Sequence, residues 1–181
     1  MQNLAGAMEV LKLLGLPEKD IFKALRSFDG AANRLEKLFD DKSIVIYKDF
    51  AHSPSKLKST VEAVHELYPE KKIISCFELH TYSSLNSAFL QEYRDSLEAA
   101  DQALVFYIPE SLDIKKLDPL EPSDIKAAFG RDDLQVFTET SGLQEYLQAI
   151  PLANTVVLLM SSGNYGGLDL EVLISQLRAL S

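Results

Sequence analysis

The chain has 181 residues, enough for one domain and a fraction of a second. Its 46% hydrophobic and 25% charged residues suit a folded chain that buries roughly 70% of its unfolded surface, and they exclude disorder and collagen-like structure. The net charge of −9 argues against a nucleic-acid partner, because a phosphate backbone needs clustered Lys and Arg. The longest apolar run, Val156 to Met160, falls far short of the ~18 residues of a membrane span. No basic stretch precedes an apolar one at the start, so no signal peptide is read. A lone Cys76 makes neither an internal disulfide nor a multi-cysteine zinc site, and a cytoplasmic location is expected.

The first forty residues read as helical. Leu4, Ala7, Met8, Leu11 and Leu14 recur at helical spacing. Gly15 stops that helix and Pro17 opens the next, whose apolar face is Ile21, Ala24, Leu25 and Phe28; Asp29-Gly30 ends it. No strand is read before Ser43. Ser43 to Tyr47 is then a nearly continuous apolar run, as in a buried parallel strand. A helix follows on Leu57, Val61, Val64 and Leu67, then a strand from Lys72 to Phe77. Leu90, Tyr93 and Leu97 predict a helix from Phe89 to Ala99. Gln102 to Tyr107 is a strand, Ser123 to Phe129 a short helix, Leu134 to Phe137 a weaker strand, and Leu143 to Ile150 a helix. Thr155 to Met160 is the most apolar strand, and a helix from Leu168 to Leu180 closes the chain. Strands alternating with helices predict an α/β fold: a doubly wound, mostly parallel sheet with helices on both faces, preceded by a short helical pair. Such sheets bind ligands at the carboxyl ends of their strands.

Three loops at strand carboxyl ends carry reactive side chains. In Lys48-Asp49-Phe50-Ala51-His52-Ser53-Pro54, an Asp can accept ribose hydroxyls and a His can donate to phosphate. Ser53-Pro54 is also a helix-cap arrangement, and both roles are compatible, since a helix N-terminus attracts anions. Glu78 to Asn86 packs hydroxyls and His80 into one turn, which reads as a binding rim or as a plain polar loop. Ser161-Ser162-Gly163-Asn164-Tyr165-Gly166-Gly167 has the glycines that let a backbone approach a ligand. No G-x-x-x-x-G-K-[ST] phosphate loop and no G-x-S-x-G elbow is present, and the three His are not spaced as a metal site. Cys76 reads as core, and His65 lies on a solvated acidic helix face.

Three motifs in this order resemble the Mur ligase family, over nearly the whole chain. Gly30-Ala31-Ala32-Asn33-Arg34-Leu35-Glu36 is similar to its Gly-Val-x-Arg-Arg-x-Glu. Lys48 to Pro54 is similar to Asp-Asp-[Tyr/Phe]-[Gly/Ala]-His-His-Pro, and Ser161 to Gly167 to Ser-x-Gly-x-[Phe/Tyr]-Gly-Gly. Asn33, Lys48 and Ser53 depart from the pattern, and Thr81 stands where an Arg is usual after the second strand. The resemblance implies a Rossmann-like C-terminal domain over residues 41–181, with residues 1–40 as the helical tail of an ATP-binding central domain. The chain is then expected to be a piece of a longer enzyme, inactive alone, with Met1 not its native start.

What the resemblance further implies is an ATP-dependent amide-bond-forming ligase of peptidoglycan synthesis or recycling. It would join UDP-N-acetylmuramate to an amino acid or short peptide through an acyl phosphate. Tyr107-Ile108-Pro109-Glu110 is closer to the members that take an L-alanine-starting tripeptide than to those that take L-alanine. ATP and Mg²⁺ are the implied cofactors, bound mainly by the central domain, and the N-terminal and central domains of the same enzyme are the implied partners. In this domain the resemblance places Arg34, Asp49 and His52 at the nucleotide and His80, Ser83, Ser162, Gly163 and Tyr165 at the acceptor, with no catalytic residue and no metal ligand. The alternatives are an L-alanine ligase, a folate-adding ligase of the same superfamily, and a non-catalytic α/β module that binds a small ligand.

Overall fold

Gly15, at φ +81°, ends helix α1 (Gln2–Leu13), and Pro17, in extended backbone, opens helix α2 (Glu18–Leu25). Glu18 and Asp20 in the first turn of α2 complement its dipole. These helices make up the first of two units, Met1–Ala31 and Ala32–Ser181, in the computed structural model, which describes residues 2–27, 33–41 and 43–180. Phe28, Asp29 and Gly30, read as the end of α2, lie outside the described residues. Among the described residues of this unit Ile21 is buried, while Val10, Leu13, Leu14 and Phe22 are exposed.

The second unit is built on six strands: β1 (Glu36–Asp40), β2 (Ile44–Asp49), β3 (Lys72–Leu79), β4 (Gln102–Tyr107), β5 (Gln135–Phe137) and β6 (Thr155–Met160). Their order across the sheet is β1-β2-β6-β3-β4-β5. All neighbours are parallel except β1, which runs antiparallel to β2 with a bulge between Lys37 and Phe39. The expectation of helix up to residue 40, with no strand before Ser43, is corrected here. Glu36 to Asp40 has charged, exposed residues at both ends and only two half-buried apolar residues, Leu38 and Phe39, the profile of an edge strand.

Side chains alternate between two cores. Val45, Tyr47, Ile73, Phe77, Val105 and Val156 face helices α3 (Pro54–Leu67), α4 (Ser87–Leu90) and α6 (Pro122–Phe129). Ile44, Ile46, Cys76, Phe106 and Leu159 face α7 (Thr140–Ala149) and α8 (Leu170–Leu180). The predicted helix from Phe89 to Ala99 is replaced by α4 and a 3-10 turn at Gln91–Tyr93. Asp95 takes φ +59° and its amide donates to the Phe129 carbonyl, which breaks the helix. Leu90, Tyr93 and Leu97 are buried all the same, and Tyr93 stacks on Phe129 at 5.2 Å. A helix not predicted, α5 (Glu110–Lys115), follows Pro109.

Parallel strands joined through helices bring their carboxyl ends, and the loops that leave them, to one side of the sheet. The chain moves from β2 past one position to β3, β4 and β5 with α3, α4 and α6 on one face. It then reverses through α7 to insert β6 between β2 and β3. Asp49 is level with Met160, and Met160 with Phe77, so the three dressed loops leave one sheet edge side by side.

Candidate functional site

Glu78 organises the centre of this edge. It is the penultimate residue of β3, is 2% exposed, and its carboxylate reaches the β6 loop at Ser161 and Tyr165. Its Oε2 accepts a short hydrogen bond from the Ser161 hydroxyl and one from the Tyr165 amide at 3.0 Å. His80 Nδ1 lies 3.7 Å from its Oε1, with the imidazole partly open to solvent. The Ser161 hydroxyl in turn accepts from the Gly163 amide at 2.6 Å, and the Ser161 amide donates to the Asp49 carbonyl at 3.0 Å. One buried carboxylate therefore pins the Gly-rich turn to β3, and that turn is tied to β2. The sequence reading missed Glu78 as a site residue. The signal available was a carboxylate continuing an otherwise apolar strand, which is costly unless it is hydrogen-bonded.

The turn itself needs its glycines. A Cβ on Gly163 would lie 2.6 Å from His80 Nδ1 and 2.8 Å from Glu78 Oε2. Gly166, at φ +69°, leaves room for Thr140, whose hydroxyl donates to the Tyr165 carbonyl at 2.8 Å. Ser162 has a buried hydroxyl oxygen with no hydrogen-bond partner among the described residues.

Tyr165 is a correction. It was expected to face the acceptor, but it is 3% exposed and its phenol points into the sheet. The hydroxyl proton is shared between the Cys76 and Met160 carbonyls, each at 2.9 Å, and the ring packs on Phe106 at 5.8 Å. Burial holds the phenol well above its ordinary pKa. Tyr165 takes φ +52°, so the backbone turns sharply and sends the ring inward. Its amide, not its side chain, serves the site.

The β2 loop forms a second part of the edge. Asp49 is 7% exposed. Its Oδ2 accepts from the Leu35 amide at 2.7 Å, and its Oδ1 accepts from the Ala51 amide at 2.7 Å and the Thr60 hydroxyl at 3.3 Å. The Phe50 amide donates to the Asn33 carbonyl at 2.8 Å. These bonds fix the segment 33–36, where Asn33 and Leu35 both have positive φ. They set the Arg34 guanidinium 5.4 Å over the Phe50 ring, against whose edge the His52 ring packs at 5.1 Å. His52 Nδ1 pairs with the Phe50 carbonyl at 2.9 Å, and its own carbonyl accepts from Tyr93 at 3.0 Å. Arg34, Phe50 and His52 thus form a half-open cationic and aromatic ledge. Ser53 makes no side-chain cap bond to α3, although Pro54 opens that helix.

The β3 loop is largely self-satisfied. The Thr81 hydroxyl accepts from the Ser84 amide at 3.1 Å and lies 3.2 Å from the Ser83 hydroxyl, and the Ser84 hydroxyl donates to the Thr81 carbonyl at 3.0 Å. Ser83 is exposed on the rim near His80. Of the acceptor-side residues, the turn and rim bring together His80 and Gly163; Ser83 and Ser162 flank them. Among the described residues, no three His, Cys, Asp or Glu side chains are close enough to hold a metal ion.

Residues 33–163 match the family profile described as the Mur ligase, glutamate ligase domain. The chain belongs to the Mur ligase family. A UDP-N-acetylmuramate–L-alanine ligase of Caldicellulosiruptor bescii is 36% identical over 103 residues, covering 57% of this chain and 22% of the relative. Among solved structures, the UDP-N-acetylmuramate–alanine ligase of Thermotoga maritima superposes with a TM-score of 0.68 at 20% identity, over 98% of this chain and 36% of that one. A domain of a ligase named for UDP-N-acetylmuramate and L-alanyl-γ-D-glutamyl-diaminopimelate, from Haemophilus ducreyi, gives a TM-score of 0.56 at 23% identity, over 82% of this chain and all of that one. At these identities the two structures speak for a shared fold. The chain thus spans well under half the length of the first two proteins. Of the family's first motif, Gly30, Ala31 and Ala32 lie outside the described residues.

Proposed function

We propose that this chain is the acceptor-binding, closing domain of an ATP-dependent ligase that joins UDP-N-acetylmuramate to an L-alanine-starting tripeptide through an acyl phosphate. The observation that carries the reading is the insertion of β6 between β2 and β3, which sets the Arg34–His52 ledge beside the Glu78-pinned glycine turn. Arg34 and His52 face nucleotide phosphate or ribose across the ledge. Asp49 holds that ledge in place, since its oxygens are taken up by Leu35, Ala51 and Thr60. Gly163, with His80, Ser83 and Ser162 around it, faces the acceptor. ATP activates the muramyl carboxylate, and Mg²⁺ and the phosphate-cradling loop belong to the central domain, whose tail is the helical pair. Closing the domain excludes water from an acyl phosphate that would otherwise hydrolyse. By itself the chain is expected to release no phosphate from ATP. The enzyme works in peptidoglycan synthesis or recycling in the cytoplasm.

A second reading, L-alanine as the acceptor, is favoured by the Caldicellulosiruptor relative, which is named for L-alanine. Tyr107 and Pro109, which argue for the tripeptide, also have structural work: the Tyr107 hydroxyl donates to the Leu120 carbonyl at 2.6 Å, and Pro109 opens α5. A competition assay on the enzyme containing this domain, with UDP-N-acetylmuramate, ATP and both acceptors, decides between them. The tripeptide should be joined with the higher kcat/KM. If L-alanine is, the alanine reading replaces it.

A further inference from the structure

Lys48 departs from the acidic residue of the family motif, and the structure gives it a setting of its own. It is half-buried near the end of β2 and faces the α8 side of the sheet, opposite to Asp49. There it lines a cleft of about 170 Å³ with Ser161, Gly163, Asn164 and Leu168. Lys37 and Lys58 each have a carboxylate within 4 Å; the Lys48 ammonium makes no ion pair or hydrogen bond with the described residues.

We propose that Lys48 and the Ser161–Tyr165 turn form a subsite for one carboxylate of the acceptor. This rests on the acceptor reading above and names what that side of the site recognises. Three acidic residues neighbour residues of the cleft lining, and each is already engaged within the chain. Glu36 is the cross-strand neighbour of Lys48, and its Oε2 accepts from the Asn33 amide at 2.9 Å. Glu78 lies behind Gly163 and is capped by Ser161 and Tyr165. Asp169 caps α8 through the Glu171 and Val172 amides at 3.0 and 3.1 Å. One ammonium left without a counter-ion, beside a glycine turn and the Asn164 amide, matches a monoanion. A phosphate dianion would meet a single cation among three acids and be left undercompensated. The cleft is below the roughly 300 Å³ of a drug-sized site, so it takes a carboxylate with a few carbons rather than a base or sugar. Lys48 is thus a specificity residue, since it binds the acceptor away from its reacting amine.

The carboxylate has two possible sources, the α-carboxylate of L-alanine or an acidic arm of the tripeptide, and NMR titration of the ¹⁵N-labelled chain separates them. The probes are acetate, L-alanine, L-alanyl-γ-D-glutamyl-meso-diaminopimelate and the same tripeptide with its carboxylates amidated, each against wild type, Lys48→Met and Lys48→Arg. The tripeptide should shift the amides of residues 161–165. Lys48→Met should raise its Kd about tenfold, as loss of one charged hydrogen bond would, and Lys48→Arg should restore most of the affinity. The amidated tripeptide should bind wild type about as weakly as the parent binds Lys48→Met. Lys48-dependent shifts with L-alanine but not with the tripeptide assign the subsite to the single amino acid. Lys48-dependent shifts with acetate alone keep the subsite and sink the acceptor reading. No shift at 161–165 with any anion, or equal Kd for wild type and Lys48→Met, overturns the subsite. If Lys48→Met fails to fold, the amidated tripeptide on wild type decides: binding as tight as the parent's overturns it.

Discussion

Gly163 packs its Cα against the Glu78 carboxylate and the His80 imidazole so closely that a methyl group there would lie 2.8 Å from one and 2.6 Å from the other. Contacts that short force something to move. His80 is partly exposed and can rotate, but Glu78 is held by two hydrogen bonds. Gly163→Ala should therefore detach the turn from β3. Overpacking of this kind costs about 1–3 kcal/mol, which in a chain of this size is a fall in Tm of roughly 3–10 °C. Thermal unfolding followed by circular dichroism checks this; an unchanged Tm would mean that the turn simply swings outward.

Glu78 itself supplies the second prediction. Glu78→Leu leaves the Ser161 hydroxyl and the Tyr165 amide buried without their acceptor, at about 1–3 kcal/mol each. Glu78→Gln keeps one carbonyl oxygen and should lose clearly less. Urea unfolding of both variants gives the ranking. Equal losses would mean that the charge, rather than the hydrogen bonds, holds the turn.

The strands and the edge they share were legible because β2, β3, β4 and β6 are buried on both faces and read as apolar runs. The three loops could be picked out, but their meeting depends on β6 inserting between β2 and β3, which no local pattern encodes. The edge strand Glu36–Asp40 was hidden by its charges and by the helices just before it. The helix expected through Leu97 had the right period, yet Asp95 in a left-handed conformation breaks it while the same apolar residues stay buried. Tyr165 looked like a ligand contact because a sequence does not say which way a turn residue points. Glu78 was passed over for the opposite reason: its partners lie 83 and 87 residues away.

Cys76 should be inert in the folded chain. It is fully buried in β3, and burial pushes its thiol up to about 12. At pH 8 only about one molecule in ten thousand would then carry the reactive thiolate, even before access is considered. Iodoacetamide should label it in urea and not in buffer. Rapid labelling of the native protein would show that β3 opens easily.

Arg131 donates to the Leu97 and Ala100 carbonyls, both at 2.7 Å, and to the Asp133 carboxylate at 2.7 Å. That hydrogen bond lowers the Asp133 pKa below its ordinary value. The unfolded carboxyl then binds its proton more readily than the folded one, so the pair stabilises the fold above pH 4. The contribution fades as the pH falls through the lower folded value. Because Asp133 is largely exposed, the effect should be under about 1 kcal/mol. Asp133→Asn should therefore be slightly less stable than wild type at pH 7 and equal to it near pH 2, as read from urea midpoints. Arg131→Ala should lose more at pH 7, roughly 2 kcal/mol, because it also frees the two carbonyls.

The last prediction separates holding the nucleotide ledge from touching the nucleotide. Leu35 sits at φ +45°, a strained conformation for a branched side chain, and its amide is fastened to Asp49 at 2.7 Å. The other Asp49 oxygen faces the Ala51 amide, so both oxygens meet donors. An Asn at 49 would have to turn its NH₂ toward one of those amides, which makes Asp49→Asn nearly as disruptive as Asp49→Ala. In the enzyme that contains this domain, both should lower kcat/KM for ATP about ten- to a hundredfold and also lower Tm, because the segment carrying Arg34 is released. Arg34→Ala should raise KM for ATP with little change in Tm, since the guanidinium lies over the Phe50 ring at the surface. Steady-state kinetics and melting curves of the three variants give the answer. If Asp49→Asn weakens ATP use while Arg34→Ala does not, Asp49 contacts the nucleotide directly and Arg34 has no part in binding it. If all three use ATP as wild type does, the ledge serves folding alone.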